Sequence, residues 1–292
     1  MEALDVETIL RRSRGLDLTN VERTTADELR AFQAYYSKTL GRPHKGLDFW
    51  LDERPDVLKR HRLFAEQRSR PGGLQTDWTF HSFFFHAFYA ITGYVVGIRY
   101  LVYMNQMMGL TKDQILEGLG IAFIHCGPRG METIAEALTD YEWIEPPRRV
   151  TFPLGWDVDP DAFRSGLDFS KPELTEDEAR ALEGWYERWL GEVPRYVRFM
   201  TKNRPEMLKA HRHRYEKLLK ILPKQVLPMT LLSYNTVRGF GDGIRENVLL
   251  AKGFGVSKEH VWGAMNHTLL YSGVEALDIV DRAVGDVLEK WS

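Results

Sequence analysis

Apolar residues recur at intervals of three and four along most of the chain, as in Leu29, Phe32, Tyr36 and in Ile115, Leu119, Ala122, Phe123. That spacing stacks side chains on one face of an α-helix. No alternating apolar and polar run marks a strand, so the pattern predicts an all-α fold. Helix starts are written into the polar positions. Thr25 with Glu28, and Thr175 with Glu178, have the spacing of a capping box, in which the threonine accepts from the third amide while the glutamate reaches back. Each opens a helix that should stop at Leu-Gly, at Leu40-Gly41 and Leu190-Gly191.

These signals come in pairs, which points to an internal duplication. The capping boxes lie 150 residues apart, and RPDVLKRHR at Arg54 to Arg62 matches RPEMLKAHR at Arg204 to Arg212 at the same offset. After a slip of four the offset becomes 146, and Gly93 to Asp140 aligns without gaps on Gly239 to Asp286. Gly97/Gly243, Arg99/Arg245 and Gly127/Gly273 are identical, and GLTKDQ and GVSKEH each read as a glycine stop followed by a Thr111 or Ser257 cap. The expected organisation is a first helical repeat over 1–140, a connector rich in Pro, Gly and Asp over 141–172, and a second repeat over 173–292. An internal pseudo-two-fold would relate the repeats.

Composition narrows the function classes. With 39 Lys and Arg against 41 Asp and Glu in 292 residues, the net charge of −2 offers no basic surface for nucleic acid. The single cysteine, Cys126, excludes an intramolecular disulfide and a CxxC couple and fits a reducing compartment. MEALDVETILRRSRG lacks an apolar signal core, so a cytoplasmic location is expected. Residues 78–98 carry no formal charge and are long enough to span a bilayer. Their counterpart in the second repeat carries Pro228, Arg238 and Asp242, so both are expected to be buried helices rather than membrane spans. Nine histidines without HExxH or clustered carboxylates predict no metal site, and GFGDG at Gly239 to Gly243 follows a helix-like run and should begin a helix rather than cradle a phosphate.

GLTKDQILEGLGIAFIHCG and GIRENVLLAKGFGVSKEHVWGAMNHTLLYSGVEALDIVDRAV resemble the carboxymuconolactone decarboxylase and alkylhydroperoxidase-D-like superfamily, over about 60 residues in each half. The resemblance implies a tandem all-α member that self-associates and works on small molecules in pockets between helices. The departures are informative. Ser82, Tyr94, Gly97 and Leu101 in one repeat, and Pro228, Phe240, Gly243 and Asn247 in the other, occupy the slots of the family's acid, thiol pair and histidine. Neither repeat can reduce peroxide through thiols, and the parent decarboxylase's histidine is missing too.

Polar residues present in only one repeat mark candidate chemistry. Glu246 and Asn247 replace Tyr100 and Leu101 and introduce a potential base and an amide. His86, one turn after Ser82 within an aromatic stretch, is a candidate acid or base or a core histidine bonded to a carbonyl. His125 and Tyr271 stand in equivalent positions two residues before a glycine, and His267 lies one turn before Tyr271. Arg99 and Arg245 are candidates to clamp a carboxylate, or else to pair with acids across a subunit interface. Phe83, Phe84, Tyr94 and Phe240 would supply aromatic walls. HRHRY at His211 to Tyr215 reads as a solvated helix face, and Cys126 as packing. The implied function is a cofactor-independent decarboxylase or related C–C lyase or isomerase acting on a small aromatic-derived or oxo acid. The alternatives are a ligand-binding oligomer and a hydrolase or hydratase that activates water.

Overall fold

A computed structural model describes residues 15–41, 44–67 and 84–291; His81, Ser82 and Phe83 lie outside them. The described residues form thirteen α-helices and no strand. The first seven are α1 (Ala26–Leu40), α2 (Lys45–Glu53), α3 (Pro55–Gln67), α4 (His86–Thr92), α5 (Val95–Met107), α6 (Lys112–Leu138) and α7 (Glu176–Leu190). The rest are α8 (Arg195–Asn203), α9 (Pro205–His213), α10 (Val226–Arg238), α11 (Gly241–Gly253), α12 (Lys258–Ser272) and α13 (Ala276–Glu289).

The caps read from the sequence operate as such. Thr25 and Thr175 close capping boxes with Glu28 and Glu178, and both helices end on a left-handed glycine, Gly41 or Gly191. Thr111 and Ser257 cap α6 and α12. Gly127 (φ 65°, ψ −151°) kinks α6, and Gly273 (φ 72°, ψ 175°) ends α12. Both need a backbone conformation that side chains with a Cβ rarely adopt. The uncharged stretch through residue 98 is broken at Gly93 between α4 and α5. No helix of the described residues is long and apolar enough to cross a membrane.

Two pins recur at equivalent places. Lys59 Nζ reaches the carbonyls of Asn20 and Arg23 and the Glu28 carboxylate at 2.9, 2.6 and 2.7 Å. Lys209 Nζ reaches the Glu173 carbonyl and the Glu178 carboxylate at 2.6 and 2.7 Å. Arg99 Nη1 donates to the Ala137 carbonyl and to Asp140, at 3.1 and 2.7 Å; Arg245 Nη1 donates to the Ala283 carbonyl and to Asp286, at 3.1 and 3.0 Å. The halves meet where α10 packs against α4 and α6. The 141–172 segment is non-helical and anchors in the core through Trp156 and Phe163.

Breaking one pin should show its weight. Lys209 is buried and ties the cap of α7 to α9, so Lys209→Ala removes a charged hydrogen bond from a Glu178 carboxylate that keeps its capping-box bonds, and should cost about 2 kcal/mol. Urea unfolding measures this, and a loss below about 0.5 kcal/mol, the size of an ordinary surface substitution, would contradict the assigned role.

Candidate functional site

The site forms where α11 lies against α10. A Cβ at Gly243 would stand 2.6 Å from Asn235 Nδ2 and 2.6 Å from the Phe240 ring. The missing side chain therefore lets Asn235 and Phe240 close over α11, which accounts for glycine there. Tyr89 and Tyr94 crowd Gly97 in the same way. Above Gly243 opens a cavity of about 810 Å³, within the range of small-molecule sites. Apolar and aromatic residues such as Trp185, Tyr186, Leu227, Leu231 and Phe240 wall it, and Glu246, Asn247, His125, His211, Tyr196 and Arg238 supply its polar groups.

Among the described residues, Glu246 is the acid whose environment departs furthest from water. Its side chain is half-buried, with the open edge facing the cavity, so protein rather than bulk water sets its charge state. Tyr196 donates its hydroxyl to Glu246 Oε1 at 3.1 Å, and Tyr186 lies 2.9 Å behind Tyr196. Tyr196 is committed to the carboxylate, so Tyr186 donates to Tyr196 and a chain of phenols ends on the acid. No cation forms an ion pair with Glu246 among the described residues. Burial pushes its carboxyl up from 4.5 to about 7, against smaller opposing effects of the Tyr196 hydrogen bond and the Arg212 charge.

Two imidazoles share the cavity. His125, on α6 of the first half, packs edge-on against Tyr234 at 4.5 Å and meets the Tyr215 hydroxyl at 3.4 Å. His211 packs against Tyr215 and takes a 2.8 Å hydrogen bond from Arg214. Burial, followed by the nearby arginines, lowers both to about 4. They are neutral hydrogen-bonding groups at pH 7. Asn247 donates back to the Gly243 carbonyl at 2.8 Å, whereas the Asn235 amide makes no hydrogen bond among the described residues and borders the cavity.

Several expected site residues stand elsewhere. His86 is completely buried beside Asn105 at 3.3 Å and does not line the cavity; burial lowers it to about 3, so it cannot donate a proton near neutrality. His267 packs on the Phe85 ring at 4.7 Å, and Tyr271 hydrogen-bonds to Tyr89; neither lines the cavity. Tyr94 bonds to His44 at 3.0 Å, and Phe84 is core. The guanidinium groups of Arg99 and Arg245 are engaged inside their own chain, Arg245 also by both Glu192 oxygens. Both arginines thus already hold acids of their own chain, and Arg245 nevertheless borders the cavity. Ser82 lies outside the described residues. Cys126 donates to the Ala87 carbonyl, and burial raises its thiol to about 11, as inert packing requires.

HRHRY requires the opposite correction. His211, Arg212 and Tyr215 all border the cavity, and Arg212 stacks over Trp185 at 3.8 Å. Tyr196 was not singled out from the sequence, although Gly46 at the equivalent position of the first half marks it as asymmetric. Tyr215 opposite Ala65 carries the same signal. No cluster of three or more potential metal ligands occurs among the described residues. No protein-family model, curated protein or solved structure matches the chain.

The raised carboxyl has a measurable thermodynamic signature. Between about pH 4.5 and 7 the folded state holds a proton on Glu246 that the unfolded state has lost. Its contribution to stability is therefore full below 4.5 and lost as pH rises through 7, by about 3 kcal/mol at 1.36 kcal/mol per unit. His125 and His211 act with the opposite sign, since their depressed values favour folding above 6.5 and lose that contribution as pH falls toward 4. The difference in unfolding free energy between Glu246→Gln and the unchanged protein isolates the carboxyl. It should move in the variant's favour by about 3 kcal/mol from pH 4.5 to 7.5, and a flat difference would contradict the buried-acid assignment.

Proposed function

We propose that the chain is a cofactor-independent enzyme that moves a proton to or from carbon in a small aromatic-derived or oxo acid, as a decarboxylase or related C–C lyase or isomerase. The observation that carries this reading is Glu246, an acid poised near pH 7 that opens onto a largely aromatic cavity. Such an acid is matched to proton transfer at neutral pH. In a decarboxylation the C–C bond breaks, carbon dioxide leaves, and the electron pair passes into an enolate. The enolate carbon takes its proton from Glu246. Asn235 donates to the enolate oxygen from an amide that no other described residue engages, and the Tyr186–Tyr196 chain stabilises the carboxylate left behind.

The two halves are read as tandem repeats of the alkylhydroperoxidase-D-like kind, related by a pseudo-two-fold. Support comes from the paired caps, the lysine and arginine pins at offsets of 150 and 146, and the equivalent glycines. Self-association belongs to the same reading. On it the second repeat holds the working site, because Tyr100 takes the place of Glu246 in the first.

Turnover of hydroxyaromatic, lactone and dienoic acids in deuterium oxide tests the proposal. One solvent deuterium should appear at carbon in the product, and the rate should fall above about pH 7 as Glu246 ionises. Glu246→Gln should lower kcat by about 10²–10⁴-fold with little change in binding. Full activity in that variant would overturn the assignment. Incorporation of solvent oxygen instead would favour a hydratase in which ionised Glu246 activates water, and saturable binding without turnover would favour a ligand-binding protein.

A further inference from the structure

The cavity borders five arginines, and they differ in what they already hold. Arg245 is tied to Glu192 and Asp286, and Arg212 lies 3.6 Å from Glu216. Arg195, Arg198 and Arg238 line the cavity without a carboxylate partner among the described residues. Of the acids at the same rim, Glu192 is held by Arg245, and Asp242 forms no ion pair among the described residues. The uncompensated charge around the opening is therefore positive, a field that selects anions.

Arg238 is the best placed of the three. It ends α10 at the exposed rim, next to Phe240, while Glu246 sits half-buried on α11. Its Nη1 donates to the Tyr234 hydroxyl at 2.6 Å, and its guanidinium lies 5.6 Å from the Tyr234 ring centroid. That bond orients the fork and leaves the Nε–Nη2 edge available, the edge that binds a carboxylate through two parallel hydrogen bonds. Tyr234 is itself braced by His125.

We propose that Arg238 is the carboxylate anchor of this cavity and a specificity-determining residue. The ligand is then an aromatic or unsaturated acid that keeps one carboxylate at the rim. Deeper in, it places the carbon that takes the proton from Glu246, with its oxo or hydroxyl oxygen beside Asn235, so that the anchored carboxylate is not the group that leaves. The orientation rests on the proton-transfer reading of Glu246. The anion site does not, and it can be tested without turnover.

The test compares 4-hydroxyphenylacetate with its neutral carboxamide by isothermal titration calorimetry on the full chain. The carboxylate should bind at least about tenfold more tightly, the ratio of a single well-made charged contact. That preference should disappear in Arg238→Gln, survive in part in Arg238→Lys, and persist in Glu246→Gln. Thermal unfolding of each variant separates a lost contact from a lost fold, and Arg198→Gln controls for charge alone. Equal binding of acid and amide, a preference that survives Arg238→Gln, or no saturable binding of either compound would overturn the proposal. Loss of the preference in Arg238→Gln alongside normal activity in Glu246→Gln would instead uphold the anchor and refute the proton-transfer role.

Discussion

The site is organised around a carboxyl that the fold holds among phenols rather than beside a cation. An ionised carboxylate withdrawn from water without a paired charge is costly, so Glu246 keeps its proton to about pH 7. That condition depends on the packing of α10 against α11. Gly243 lets Asn235 and Phe240 approach, and α7 and α8 bring Tyr186 and Tyr196 behind the acid. A side chain at residue 243 would push Asn235 aside and admit water, and the carboxyl would return toward its ordinary range.

The two halves divide structure from chemistry. Both keep the lysine pin beneath the capping box and the arginine pin to the carboxylate forty-one residues on, and these identical residues serve the fold. Some groups that open onto the cavity differ, Glu246 opposite Tyr100, Arg238 opposite Thr92 and Tyr196 opposite Gly46, whereas Tyr186, His211 and Arg212 have identical counterparts in Tyr36, His61 and Arg62. The first half nevertheless contributes His125, which reaches the cavity from α6 and meets Tyr215 and Tyr234. Its counterpart Tyr271 crosses the other way, to Tyr89 and Phe88. The site is thus assembled from both halves of one chain.

Much of the helical frame was legible in the sequence, because caps and glycine stops act locally. Thr25, Thr175, Thr111 and Ser257 make the predicted cap contacts, and α11 begins within GFGDG as expected. Asymmetry between the halves picked out Glu246, Asn247 and His125, all of which border the cavity. The sequence does not show a partner that comes from a distant element. Arg99 and Arg245 read as carboxylate clamps or as partners of acids across an interface, because Asp140 and Asp286, which they meet within the chain, lie forty-one residues away. HRHRY read as solvated because four successive polar residues hide the face that Leu208 and Tyr215 share. Tertiary packing instead turns His211, Arg212 and Tyr215 onto the cavity, with Arg212 over Trp185 and His211 against Tyr196. His86 looked chemical because it sits among aromatics, and the same aromatics bury it too deeply to titrate near neutrality.

The central claim is the protonation state of one carboxyl, and infrared difference spectroscopy reads it directly. Titrating the protein from pH 4.5 to 9, with Glu246→Gln subtracted, should reveal a protonated-carboxyl stretch that disappears with a midpoint near pH 7. A midpoint near 4.5, where an ordinary glutamate titrates, would mean that water reaches Glu246 freely, and the account of the site would be contradicted.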